Sequence, residues 1–372
     1  MRRDYSQKDR AWLWLNEALG AKVATADFLI YCNDGLIPLY ETAAKGRAIK
    51  FPDNIGAPIQ DKLKRTAADG SVDRLIDSLD RSGIEAVTRD SSNYPRLLRE
   101  IYDPPTVLFV KGKLPDEIRL PIAVIGSRKV SDYGTQMADH FGCELAENGA
   151  CVVSGLALGC DAIAARGALR SRSNPLPTIA VLGSGVDVVY PYENKKLYDE
   201  IAERGAIISE YRPGKEPSRE SFPQRNRIIS GLSRGILVIE AAAKSGTRIT
   251  VDFAHEQGRD VFALPARLTD LSSIGTNGLI KSGGAKPVFG VDDILYEYGM
   301  FIPEPSAPPV RSAPAGLDFK QKKLYDILAK GEKTVDMLCE ETGFDVSEVN
   351  TYLTEFELSG IIKQLPNGQY SV

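Results

Sequence analysis

Residues 121–134 read PIAVIGSRKVSDYG, and this stretch decides the fold. A continuous apolar run ends at Gly126, Ser127, Arg128 and Lys129 follow, and a helical pattern takes over across Tyr133–Asn148. An apolar run without polar alternation marks a strand buried on both faces, as in a parallel sheet. The runs TVLFV (106–110), ACVVSG (150–155), TIAVLG (178–183), AIIS (206–209), GILVIE (235–240) and DVFALP (260–265) repeat the pattern. Helix-length stretches over Asp161–Arg170, Asn194–Arg204 and Ile249–Gln257 lie among them. Strand and helix in alternation predict an α/β domain over residues 89–300, Rossmann-like, with a doubly wound, mainly parallel sheet.

The flanks read differently. Ala11–Leu19, Val23–Tyr31, Leu36–Ala44, Ile59–Ala68 and Val72–Ser82 have helical periodicity, predicting an all-helical domain over residues 1–88. Trp12 and Trp14, two apart in one helix, cannot share a face, and one of them is expected in the core. Residues 301–316 hold five prolines between Pro303 and Gly316 and read as an extended linker. Beyond it, residues 317–372 show three helical patterns. Gly360–Gln364 and Gln369–Val372 then flank a Pro366-Asn367-Gly368 turn, a hairpin signal. Three helices and a hairpin predict a winged helix. Its third helix, Asp345–Leu358, contains no Lys or Arg, and the module has six Lys against ten acidic residues. Duplex phosphates would be repelled, so the wing is expected to contact protein.

Composition narrows the class. The chain has 372 residues, enough for two or three domains, and 43% are hydrophobic, which excludes wholesale disorder. No apolar run reaches the length of a membrane helix, and Met1–Arg10 has no signal-like apolar core. Five scattered cysteines without a Cys-x-x-Cys pair, and only two histidines, argue against disulfide frameworks and metal sites. The cytoplasm is the expected compartment. His255, inside a helical pattern, is expected to pack or cap rather than react.

The chemistry gathers at strand ends. Gly126-Ser127-Arg128-Lys129, Gly155-Leu156-Ala157-Leu158-Gly159, Gly183-Ser184-Gly185 and Ala243-Lys244-Ser245-Gly246-Thr247 each follow an apolar run. Glycine there admits a close ligand, and a helix N-terminus beyond it offers free N–H groups to an anion. Four such ends predict a phosphate-binding rim, although neither a P-loop nor a full dinucleotide fingerprint is present. Arg219–Arg248 carries six basic residues against Glu220 and Glu240, net +4 in a chain of net −4. Within it Phe222, Arg225, Asn226 and Arg227 stand just before an expected helix. Aromatics that stack bases and cations that neutralise phosphates are the groups a single nucleic-acid strand needs.

These residues carry a resemblance. AVIGSRKVSDYG (123–134), VVSGLALGCDAIAARGAL (152–169), TIAVLGSGVDVVYPYEN (178–194), ISEYRPG (208–214), FPQRNRIISGLS (222–233), EAAAKSGTRIT (240–250) and GTNGLIKSGGA (275–285) occur in the order found in the DNA-processing protein A (DprA, or Smf) family. Tyr94-Pro95 and Asp103-Pro104-Pro105 precede them. The resemblance implies a non-enzymatic recombination mediator of natural transformation, with no cofactor. Such proteins bind single-stranded DNA, form homodimers through the α/β domain, and help load RecA onto DNA coated with single-strand-binding protein. It also implies an N-terminal SAM-like or helix-hairpin-helix-like domain and the C-terminal winged helix. By motif, Gly126, Ser127, Arg128 and Lys129 would hold phosphates, with Gly155 and Gly183 at neighbouring turns. Phe222 would stack on a base, and Arg225, Asn226 and Arg227 would line the groove. Lys244, Ser245, Gly246 and Thr247 would add charge and a helix N-terminus. Two departures stand out: Leu158 replaces a usual Arg, and Ala165 a frequent His. Glu240–Asp252 resembles more loosely the phosphoribohydrolases of the lysine-decarboxylase-like family, so nucleotide hydrolysis is the alternative. A scaffold acting only through its wing is a third reading.

Overall fold

A computed structural model describes residues 4–51, 57–243, 245–300, 314, 317–329, 331–365 and 368–371. They fall into two units, Met1–Met300 and Phe301–Val372. Apart from Pro314, the proline linker lies outside the described residues, as do Pro366 and Asn367 of the hairpin turn.

The first unit begins with α1 (Gln7–Leu19), α2 (Val23–Cys32), α3 (Leu36–Ala44), α4 (Ala57–Ala68) and α5 (Ser71–Ser82). Ser6 opens α1 with a capping box: its hydroxyl accepts the Asp9 N–H, and the Asp9 carboxylate accepts the Ser6 N–H. Both tryptophans are buried, not one. They point to different neighbours, Trp14 donating its indole N–H to the Leu63 carbonyl (3.0 Å) and Trp12 to Asp90 (2.9 Å). A buried indole needs such an acceptor, and each has found one.

The helical segment does not extend to residue 88. Glu85–Thr88 form β1, paired antiparallel with β2 (Val107–Gly112). Ala86 and Val87 alone, between Glu85 and Thr88, are too short an apolar run to mark a strand. The chain continues through α6 (Arg96–Arg99), β2, β3 (Pro121–Ile125), α7 (Asp132–Glu147), β4 (Cys151–Ser154) and α8 (Cys160–Ala168). Then come β5 (Thr178–Val181), α9 (Lys195–Arg204), β6 (Ala206–Ser209), α10 (Ser221–Leu232), β7 (Gly235–Val238) and α11 (Thr247–Glu256). β8 (Asp260–Ala263), α12 (Ile274–Lys281), β9 (Lys286–Pro287) and α13 (Val291–Glu297) complete the unit. Every apolar run of the sequence is a strand.

The sheet order is β1-β2-β6-β5-β4-β3-β7-β8-β9. β3 to β9 run parallel, and β1 and β2 add an antiparallel edge. Because β3 pairs with β4 on one side and β7 on the other, the winding reverses between β3 and β7. Open α/β sheets bind ligands at the carboxyl ends of strands at such a reversal.

Two cores cover the two faces. On one, Trp14, Leu29, Leu39, Leu63 and Leu79 of the helical segment share a buried cluster with Phe109, Leu182, Tyr198 and Ile207. On the other, Leu98, Ile228, Ile229, Leu232 and Val251 pack against Ala123, Val153, Val181 and Val238. The amino-terminal helices are therefore part of the layer that covers the sheet.

The second unit contains α14 (Phe319–Leu328), α15 (Val335–Thr342), α16 (Val346–Leu358) and the antiparallel pair β10 (Lys363–Gln364) and β11 (Tyr370–Ser371). Leu324, Leu328, Leu338, Val349, Leu353 and Phe356 form its core. Asp345 caps α16 by accepting the Glu348 N–H (2.8 Å). This is the winged helix read from sequence.

Candidate nucleic-acid interface

A cleft of about 700 Å³ opens at the winding reversal. Its walls are the turn after β3, the first turns of α10, and the start of α11. The β3 turn is held from both sides. The Ser127 N–H donates to the Glu240 carbonyl (2.8 Å), and the Ser127 carbonyl accepts the Cys160 N–H (3.1 Å). The Ser127 hydroxyl donates to the Lys129 carbonyl (2.7 Å) and accepts the Lys129 N–H (3.1 Å). That bracing leaves Arg128 and Lys129 exposed.

The Arg128 guanidinium lies 5.9 Å from the centre of the Phe222 ring, and Tyr190 stacks on Phe222 at 5.4 Å with the rings inclined by 33°. Gly183 underlies this group: a side chain there would come within 3.0 Å of the Phe222 ring. A cation and two aromatic faces meet at one point of the rim, the combination that holds a phosphate and stacks a base.

Phe222 and the residues after it are inside α10, not ahead of a helix. Helical spacing then sends the two arginines into the protein. Arg225 is buried in the cleft floor and donates to the carbonyls of Gly155 (2.8 Å) and Val181, joining the ends of β4 and β5. Gly155 has no room for a side chain, since a Cβ would fall 2.6 Å from the Arg225 Nη2. Burial pushes the Arg225 guanidinium down to about 10, with Asp161 pulling the other way, so it stays charged at neutral pH. Asp161, also buried, accepts the Gly155 N–H (2.9 Å). Burial raises its carboxyl, with Arg225 the main opposing influence.

Arg227 does not line the groove. It is buried on Glu210 (2.7 Å) and Asp103 (2.8 Å), and those carboxylates keep it protonated against the cost of burial. Asn226 does line the cleft, its side-chain Oδ1 accepting the Arg225 Nε–H (3.2 Å). Ser245, Gly246 and Thr247 line the opposite wall at the start of α11. The Ser245 hydroxyl bonds Thr247 and caps its N–H, while Lys244 lies outside the described residues. Arg234, ahead of β7, is at the other edge of the sheet over Tyr298 (5.9 Å). The basic run therefore does not converge on one surface: Arg219 lines the cleft with Arg128, while Arg248 faces Asp252 along α11 (4.0 Å).

The sequence reading passes over Tyr190, Asp161 and Arg219 as site residues. The signal for Tyr190 was a polar-tipped aromatic beside Pro191, downstream of the Gly183 turn. Glu240 is buried as well, one oxygen accepting the Ser131 N–H at the start of α7 (3.0 Å) and the other unpartnered. Of the two departures, Leu158 is partly exposed beside Tyr190 and Pro191, whereas Ala165 is buried in the α8 core. His255 bonds the Gly284 carbonyl (2.8 Å), a structural tie.

Residues 85–299, which contain this cleft, match the family model for DNA recombination-mediator protein A. The chain belongs to that family. Residues 306–368 match the winged-helix domain of DprA. Protein Smf of a Synechocystis strain is 31% identical over 89% of this chain and 92% of its own length. The X-ray structure of DprA from Streptococcus pneumoniae superposes with a TM-score of 0.64 at 34% identity, covering 77% of this chain and 97% of that one. DprA of Helicobacter pylori, described for its single-stranded DNA binding mode, superposes at 0.52 with 33% identity over 58% of this chain and 95% of that one. Among the described residues no helix is long and apolar enough to cross a membrane.

Proposed function

We propose that the cleft binds single-stranded DNA and that the protein acts as a recombination mediator in DNA uptake. The observation that carries this reading is the Arg128–Phe222–Tyr190 group at the sheet's winding reversal. Family membership and the single-strand binding of the Helicobacter relative support it. A duplex hides its base faces in the stack, so exposed rings favour the single strand. In this reading the protein works in the cytoplasm as a homodimer and helps load RecA onto DNA coated with single-strand-binding protein. Leu268, Leu271 and Ile274, exposed between β8 and the start of α12, offer an apolar surface for the second copy. Two cleft sites on one rigid body would bind a strand with avidity.

The role is binding, not catalysis. Asp161, which lines the cleft, and Glu240, which holds the β3 turn, are buried and accept backbone N–H groups, an arrangement that favours binding over hydrolysis. Release of free base from nucleoside monophosphates would establish the phosphoribohydrolase reading instead. The decisive measurement is a gel shift of single-stranded against duplex DNA across salt. With roughly three to four phosphates neutralised, log K should fall against log salt with a slope of about −2 to −3. Equal affinity for duplex, or indifference to salt, would remove the proposal.

A further inference from the structure

We propose that the turn from Tyr190 to Asn194 is an arm of the binding site that stacks further bases as the strand leaves the cleft. This inference rests on the single-strand reading and extends it to a part of the molecule outside the groove. Tyr190 is tied to the cleft by its ring contact with Phe222 and is 45% exposed. Tyr192, two residues on, is 77% exposed. Between them Pro191 is extended, with φ −70° and ψ 153°. Exposure rises along the series, from the half-buried Phe222 ring in the cleft wall through Tyr190 to Tyr192.

The arm is fixed to the floor of the cleft. Asn194, itself buried, donates its amide to the Leu156 carbonyl (3.0 Å). Leu156 adopts a φ of 54°, rare for a branched residue, beside Gly155 in the turn that Asp161 and Arg225 secure. Strain of this kind persists where surrounding structure over-determines the backbone. Beyond the arm, Lys195 pairs with Asp199 while Lys196 is exposed at the start of α9. A ring followed by a free cation is what a departing nucleotide requires, one for the base and one for its phosphate.

The test measures affinity of the full chain for oligothymidylates from about 4 to about 16 nucleotides, the span of single-strand site sizes. Tyr192→Ala should bind the shortest oligomer as the unsubstituted protein does and lose about 5- to 10-fold on the longest, one stacked base being worth that much. Tyr192→Phe should keep the length increment, since the ring and not the hydroxyl stacks. Arg128→Ala should lose affinity at every length. If Tyr192→Ala matches the unsubstituted chain at all lengths, or loses equally at all, the arm is refuted while the cleft stands. If the unsubstituted chain binds none of the oligomers, the cleft reading fails and the arm falls with it.

Discussion

The cleft and the winged helix present opposite surfaces built on folds that can both hold nucleic acid. At the carboxyl edge of the sheet, exposed Arg128 and Arg219 line a cleft with two aromatic rings, and Lys129 is exposed next to Arg128 in the chain. On the winged helix, the helix that would enter a major groove exposes Asp345, Glu355 and Glu357 and has no basic residue. Even its neighbours are acidic in balance: Lys320 and Lys333 are taken up by Glu348 and Glu341. The shape of a motif therefore does not decide its partner. Phosphate attraction follows the charges that remain free once the fold has used what it needs.

The same principle divides the arginines of the first unit, and the largest expected effect tests that division. Arg227→Ala leaves Glu210 buried without its counter-ion, so unfolding should become easier by about 3–5 kcal/mol. Chemical denaturation checks this; a stable variant that has lost DNA binding would return Arg227 to the cleft surface. Arg128→Ala should do the reverse, weakening single-strand binding by about 1–2 kcal/mol with an unchanged melting curve. Unaltered affinity would take the β3 turn out of the site.

Asp161→Asn should tighten single-strand binding by about 0.5–1 kcal/mol, because it removes a negative charge beneath the phosphates while leaving an acceptor for the Gly155 N–H. Burial raises Asp161, so the fold favours its neutral form. That contribution to stability is complete below the ordinary value of 3.8 and fades as pH rises through the raised one. Bound phosphates raise it further, so affinity should climb on acidification in the natural protein and less so in the Asn variant. Anisotropy titrations at several pH values read both. The smallest effect belongs to the wing: removing residues 317–372 should leave single-strand affinity within about threefold, with a slight gain at low salt. A loss beyond about tenfold would break the contrast between the two surfaces.

The sheet was legible because doubly buried strands are unbroken apolar runs, and Ile122–Ile125 or Ile236–Val238 could hardly be anything else. β1 and β9 were not, because Glu-Ala-Val-Thr and Lys-Pro make no unbroken apolar run. The β3 turn and Phe222 were readable as candidates, and the structure brings them to one cleft, since glycine, cations and an aromatic carry their chemistry wherever they stand. Arg225 and Arg227 show what local sequence hides. Glu210 is 17 residues from Arg227 and Asp103 is 124 away, so nothing near the arginine announces that its charge is already neutralised. Counting bases along Arg219–Arg248 overstated the field for that reason.

β1 closes the sheet at one edge, and α1 and α5 pack against it. A chain shortened to begin at residue 89 would keep every strand that lines the cleft yet leave the β2 backbone, from Val107 to Gly112, with an open row of N–H and C=O groups. Unpaired edges recruit other strands. Such a fragment should gather into higher aggregates whose size has nothing to do with DNA, and an assembly state measured on it would describe the exposed edge, not the protein. Four residues at the end of a helical segment thus set where this molecule can be cut.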